Sequence, residues 1–410
     1  MATGEERLGA PFWKVWTSSS LSNLADGVLK VALPLVAVRF TDSPALIGGL
    51  ALALTLPWLL FALPAGAITD RLDRRRVMIV ANVVRAVLVA GVGVLLATGT
   101  GSLWVLYALA FAVGTTETLY DTSAQSILPQ VVPRPALPRA NARLFAAELT
   151  ANQFVGPPIG GFLVASGAAI ALVAPGGVWL LAVVVLALVP GRFRIERPEP
   201  TTIRADIAEG LRFLWRHRLL RTIAAMVGTV NFATNATFAI FVLYAVGPES
   251  AMSLTEPVYG VLLTTLALGS VLGALFAAPV VRHLGRARSL TLAILATALL
   301  IGVPALTADV WVVGSAFALG SLGIAVWNVI AVSLRQHITP DRLLGRVNSC
   351  YRLVAWGTMP LGAVIGGLLG ELFGLRAVFA TMGVIALSTL LGMVVVTDDA
   401  MDQAEREAES

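Results

Sequence analysis

The chain has 410 residues, of which 57% are hydrophobic and only 13% charged, with a mean hydropathy of +0.84. A soluble domain carries about twice that charged fraction, so the composition excludes an ordinary globular protein and points to an all-α polytopic membrane protein. The net charge of +5 does not argue for a nucleic-acid partner, because the charges sit in short segments between apolar runs.

A window of about 20 residues, the length that crosses the hydrocarbon core, predicts spans over residues 14–38, 45–68, 77–98, 103–126, 141–165 and 168–190. The same window continues with 222–246, 257–281, 289–308, 310–333, 345–370 and 375–397, making twelve transmembrane helices. Alternate loops are basic: Arg71, Arg74, Arg75 and Arg76; Arg134 and Arg139; eight arginines from Arg192 to Arg221; Arg282, Arg286 and Arg288; Arg335, Arg342 and Arg346. The other set holds only Arg39 and Arg376, so the basic set and both termini are expected in the cytoplasm of a multi-pass cell-membrane protein. No signal peptide is read in MATGEERLGAPFWK, and the single Cys350 cannot form an intrachain disulfide.

The loop from 191 to 221 divides the chain, and its second part, ADIAEGLRFLWRHRLL, has the spacing of an amphipathic helix on the inner leaflet. The expected organisation is a six-helix half over 1–190, a linker over 191–221, a second half over 222–397 and an acidic tail over 398–410. The tail is expected to be a solvated, disordered end. A shift of 207 residues brings Ser126 onto Ser333, Pro133 onto Pro340, Arg139 onto Arg346, Asn141 onto Asn348, Gly160 onto Gly367 and Gly66 onto Gly273. Two parallel repeats of this kind place a substrate site near the bilayer midplane, with alternating access by rocking.

The loop Gly66-x-x-x-Asp70-Arg71-x-x-Arg74-Arg75 resembles the signature between helices 2 and 3 of the major facilitator superfamily. Gly156-Pro157-x-x-Gly160-Gly161 is similar to the second part of its antiporter signature, though Asn152 stands where an upstream glycine would fall. The stretches ADGVLKVALPLVAV, VPRPALPRANAR and EGLRFLWRHRLLR resemble the branch holding macrolide and siderophore exporters. Helix 4 lacks the arginine that many proton-coupled members carry there. By resemblance, Gly66 lets helix 2 approach a neighbour closely and Asp70 holds one access state closed at a helix N-terminus.

An ionisable group inside a bilayer is costly and is a functional candidate by default. The first half carries Asp26 and Lys30 in helix 1, Arg85 in helix 3, Glu117 and Asp121 in helix 4, and Glu148 in helix 5; the second half has Arg352. Asp26 and Lys30 lie four apart on one face, which fits either a mutual ion pair or a proton or substrate-charge site. At about 1.5 Å per residue, Glu117, Glu148 and Arg85 fall at similar depths. They fit a coupling cluster or a structural salt-bridge network; Asp121 falls nearer the cytoplasm, where solvation explains it. The run GPPIGG and its counterpart Gly357-x-x-Pro360…Gly366-Gly367 fit either tight packing at the seam or a bending element. Asn23, Asn231, Asn235, Asn328, Trp327, Trp356 and Arg352 are cavity candidates, with helix–helix packing the alternative reading.

His217, His283 and His337 all lie in the basic loops, no metal-ligand cluster appears, and no phosphate-binding loop or nucleophile motif is present. The expectation is therefore no cofactor, no metal and no enzymatic activity. With the resemblance, these features imply a proton-coupled exporter of bulky, partly apolar small molecules such as drugs, macrolides or siderophores, functional as a monomer. A facilitator or importer, a lysolipid flippase and a non-transporting sensor are the alternatives.

Overall fold

The computed structural model describes residues 8–191, 193, 203–247 and 249–409; these are mostly helical, with no strand among them. Eleven stretches among the described residues are long and apolar enough to cross a membrane. The expected span over 141–165 is instead three joined pieces: α5 (Leu137–Glu148), a π-helical turn (Leu149–Val155) and α6 (Gly156–Ser166). Pro157 and Pro158 explain the change: each lacks an N–H and its ring crowds the carbonyl four residues back, so the preceding turn widens.

The chain forms two compact units, and each includes a helix start from the far half of the sequence. The first comprises residues up to Asp42, Ala53–Glu196 and Leu254–Thr264. It holds α1 (Ala10–Ala37), the later part of α2 (Pro44–Arg71), α3 (Arg74–Ala97), α4 (Leu103–Val131), α5, α6 and α7 (Ala168–Ala187). Here α1 packs on α6 and α7, and α3 on α4 and α7. On α3 the usual order is inverted. Asn82 and Arg85 are buried beside Met78, Ala81 and Val89, while Val80, Val84, Val87 and Val94 are exposed. That is the pattern of a helix whose outer face meets lipid rather than water.

The second unit holds Ser43–Leu52, Arg197–Ser253 and Thr265–Ser410. Its helices are α8 (Ile203–Arg216), α9 (Arg218–Ala245), α10 (Glu256–Leu284) from Thr265 on, α11 (Arg286–Leu306), α12 (Val310–Ile338), α13 (Asp341–Gly357), α14 (Met359–Phe373), α15 (Leu375–Ser388) and α16 (Asp398–Glu409). Asp309 caps α12 by accepting from the Trp311 and Val312 N–H groups, at 2.9 and 3.0 Å. Gly374 (φ 84°) separates α14 from α15 as Gly167 (φ 148°) separates α6 from α7. The offset, 374 − 167 = 207, is the repeat shift, and both backbones take a conformation that disfavours a Cβ.

Two loop expectations change. The first part of the linker, 194–202, lies outside the described residues, but α8 docks on α13, with Leu214 buried and Glu209 paired to Arg346. Leu211 and Trp215 stay exposed on α8. The acidic tail is not a disordered end. It folds as α16 against α12, burying Met401 and Ala404, and pairs Asp402 and Glu405 (2.7 Å to the latter) with Arg286. Asp398 accepts from the Ala287 N–H at 2.9 Å, at the start of α11, where a carboxylate is favoured.

Candidate functional site

One polar stripe runs up α1. Ser18, Ser22, Asp26 and Lys30 recur every four residues, so they share a face, and each meets a different partner. Ser18 Oγ donates to the Ala182 carbonyl (2.8 Å) on α7, and Ser22 Oγ to Asn82 Oδ1 (3.3 Å) on α3. Asp26 accepts from Arg85 Nη1 at 2.6 Å. Lys30 Nζ lies 3.8 Å from Glu117 on α4 and 3.3 Å from Asn152 Oδ1 in the π turn. The stripe's register was available in the sequence as a spacing of four; its serines, and Asn82 opposite, were missed.

The two ion pairs differ in kind. Arg85 is 0% exposed, with Tyr120 and Trp179 rings 4.9 and 5.1 Å from its guanidinium carbon. Its Nε and Nη2 find no hydrogen-bond partner among the described residues. Lys30 is 48% exposed and Glu117 14%, on a narrow crevice that Asp26, Leu54 and Val113 also line. A tightly held buried pair holds a fold together and resists change; a loose, exposed pair can exchange partners.

The sequence pairings are thereby corrected. Asp26 and Lys30 do not pair with each other, because neighbouring helices offer each a closer opposite charge. Nor do Glu117, Glu148 and Arg85 form one cluster: Arg85 goes to Asp26, Glu117 to Lys30, and Glu148 is exposed. Asp121, one turn from Glu117, is half-buried. Asn23 is spent within α1, its Nδ2 donating to the Ser19 carbonyl at 2.9 Å.

At the α2–α3 junction, Arg74 Nη1 donates to the Ser126 carbonyl (2.7 Å) and Arg75 reaches that of Val189, while Arg71 is exposed. Asp73, which the sequence reading passed over, caps α3 and also accepts from the Phe193 N–H at 3.0 Å. The side chains of Asp70 and Arg352 lie outside the described residues. The close approach expected at Gly66 is absent: a Cβ there would meet nothing within 4 Å, whereas one at Gly273 would strike the Leu322 carbonyl.

The other signature glycines do mark close backbone approaches. A Cβ at Gly156 or Gly160 would overlap Gly27 or the Val28 carbonyl on α1, and one at Gly161 the Glu256 carbonyl. Pro157 is buried against Gly260. In the second unit, Gly366 abuts the Ala236 carbonyl on α9, and Gly367 meets Pro44 and Gly48; Pro360 is buried, and Gly357 ends α13. Polar contacts sit beside both helix starts. Arg39 donates to the Val164 carbonyl (2.9 Å) and Glu256 (3.4 Å), while Glu371 accepts from Ser43 Oγ (2.7 Å) and the Ala45 N–H (3.3 Å). These four residues carried no expected role beyond Arg39 as a topology marker.

In the second unit α9, α11, α12 and α13 line a cavity of about 380 Å³. Asn231, Trp327, Asn328 and Trp356, all cavity candidates, line it; Asn235 does not, its Nδ2 donating to the Asn231 carbonyl at 3.0 Å. Asn231 Nδ2 is held by the Ala355 carbonyl (2.7 Å). Arg335, which the sequence reading counted only as a topology marker, also lines the cavity, its Nε on Asn348 Oδ1 (2.7 Å) and its guanidinium 4.0 Å from the Tyr351 ring centre.

The profile of a family described as "Transmembrane secretion effector" matches residues 9–410, nearly the whole chain. The chain belongs to this family of the major facilitator superfamily. This superfamily member is 29% identical to the multidrug efflux pump Tap of Mycolicibacterium fortuitum, over 94% of this chain and 95% of that one. It is 27% identical to the enterobactin exporter EntS of Shigella boydii, over 94% and 92%. Among solved structures, the nucleoside transporter NupG superposes with a TM-score of 0.74 at 11% identity, covering 94% of this chain and 99% of that one. A bacterial homologue of the iron transporter ferroportin, in an inward-facing state, gives 0.69 at 17% identity, over 98% and 100%. At such identities these likenesses establish the fold alone. The membrane assignment from composition and the resemblance read from the loop signature agree with the family.

Proposed function

We propose that this protein is a proton-coupled exporter of bulky, partly apolar small molecules, working by alternating access. In this reading it is a monomer of twelve membrane helices in two six-helix halves, in the cell membrane, with both termini cytoplasmic. The observation that carries the proposal is the Lys30–Glu117 pair, more exposed and more loosely held than the buried Asp26–Arg85 pair beside it. A membrane-embedded carboxylate with a weakly held partner can change protonation without unmaking the fold. Ionised, Glu117 holds Lys30. Protonated, it releases Lys30, which has Asn152 at 3.3 Å as a neutral alternative partner. That exchange links a proton to the packing of α1, α4 and the π turn. The relatives named as efflux pumps favour the outward direction.

The test is efflux of a fluorescent dye from vesicles with an imposed pH gradient. Wild-type protein is expected to accumulate dye against its gradient, and Glu117→Gln to equilibrate it only. Equilibration without accumulation by the wild type would overturn the coupling and leave a facilitator; accumulation unaffected by Glu117→Gln would remove Glu117 from it.

A further inference from the structure

The cavity in the second unit carries a charge that no described lining residue balances. Arg335 is the one formally charged residue among the lining residues described; the other polar groups are amides, hydroxyls and indoles. Its identified partners, the Asn348 amide oxygen and the Tyr351 ring, are neutral. In the first unit, by contrast, both cations of the ion pairs meet carboxylates: Arg85 pairs with Asp26 and Lys30 with Glu117. A half-buried cation with no counter-charge among the described lining residues favours an anion and disfavours a second cation. A guanidinium also presents a planar fork that matches a carboxylate or sulfonate through two parallel hydrogen bonds.

The rest of the wall suits an aromatic body. Trp327 and Trp356 line the cavity beside Val227, Val230 and Ile324. Asn231, whose Nδ2 is taken by Ala355, keeps its side-chain oxygen as an acceptor. A volume of about 380 Å³ suits a small aromatic molecule, at the lower end of ligand pockets.

We propose that the cavity between α9, α11, α12 and α13 is a binding site for aromatic acids, with Arg335 holding the anionic group and Trp327 and Trp356 the ring. This rests on the export reading only in making the site a substrate site; binding itself needs no gradient. It narrows the substrate class from bulky, partly apolar molecules to those with an acidic group on an aromatic frame.

Three naphthalenes with the same ring and substituents of different charge test it: 2-naphthoate (anion), 2-naphthamide (neutral) and 2-naphthylmethylammonium (cation). Saturable binding to purified full-length protein in detergent is measured by equilibrium dialysis against empty micelles at neutral pH. The expected order is naphthoate, then naphthamide, then the ammonium. Arg335→Gln is expected to weaken naphthoate about ten-fold, equivalent to about 1.4 kcal/mol, and leave naphthamide within about two-fold. Arg335→Lys should recover part of the naphthoate affinity, and Trp356→Ala should weaken all three. An ammonium bound as tightly as naphthoate, equal loss of all three in Arg335→Gln, or no saturable binding of any probe would overturn the proposal. A protein that ranks the probes as expected but drives no efflux refutes export and keeps the site. One that accumulates dye but shows no charge ranking refutes the site alone.

Discussion

Two carboxylates of the first unit, Asp26 and Glu117, are separated by what their partners can do. Asp26 holds a guanidinium that is wholly buried; Glu117 holds an ammonium that is half exposed. Asp26→Asn would leave Arg85 as an uncompensated buried charge, a loss of about 3–5 kcal/mol. It is expected to abolish a monodisperse folded protein in detergent, read by size-exclusion chromatography and thermal unfolding. Glu117→Gln should cost less than about 1 kcal/mol and leave the unfolding transition nearly in place, while removing pH-driven efflux. A wild-type transition for Asp26→Asn would show that the buried pair does not hold the fold. The candidate acids were legible because charge is rare in bilayer spans. Their pairings were not, since one helix's spacing says nothing of what another helix 59 residues away presents. The same blindness hid Arg335: in the sequence it is one more arginine of a basic loop, and only the fold sets it on a cavity wall.

At the scale of elements, hydropathy exposed nearly every span, and the departures have local causes. The helix over 137–166 is interrupted by two adjacent prolines, visible in GPPIGG, though the π turn that absorbs them was not foreseen. The tail was read from its charge alone; the missed signal is Met401 and Ala404, three apart on one helical face among the acids. Truncation after Thr397 is expected to lower the unfolding midpoint, since it exposes the surface Met401 covers and strips Arg286 of Asp402 and Glu405. An unchanged midpoint would mean that α16 contributes nothing. The glycines separate equally well. Gly366→Val should prevent folding, because its side chain would overlap the Ala236 carbonyl; Gly66→Val should fold normally, because the space beside it is open. Yield of folded protein on size-exclusion chromatography distinguishes them, and equal yields would refute the packing argument.

For the whole molecule, the offset of 207 residues was legible from matched glycines, prolines and arginines, and it reappears in the paired breaks at Gly167 and Gly374. What the offset could not reveal is that Leu254–Thr264 packs with α6 and Ser43–Leu52 with α14. Each contact has a carboxylate beside it, Glu256 on Arg39 and Glu371 on Ser43 and the Ala45 N–H. Under the proposed export by alternating access, with the basic loops cytoplasmic, both contacts face the opposite side and open for release there. Glu371→Gln is then expected to speed labelling of Ile47→Cys, in a Cys350→Ser background, by a thiol reagent that does not cross membranes. Ile47 is buried in the segment Glu371 caps. An unchanged labelling rate would rule Glu371 out as a closure.

The traded helix starts also bear on how the gene can be divided. A fragment ending at Glu196 would carry Ser43–Leu52 without its packing partners and leave bare the face of Gly161 that Glu256 covers. The complementary fragment would have the mirror defect at Gly367. Neither fragment is self-sufficient, so each should be degraded when made alone and rescued when both are made together. The sequence repeats as two, but its two parts fold only together.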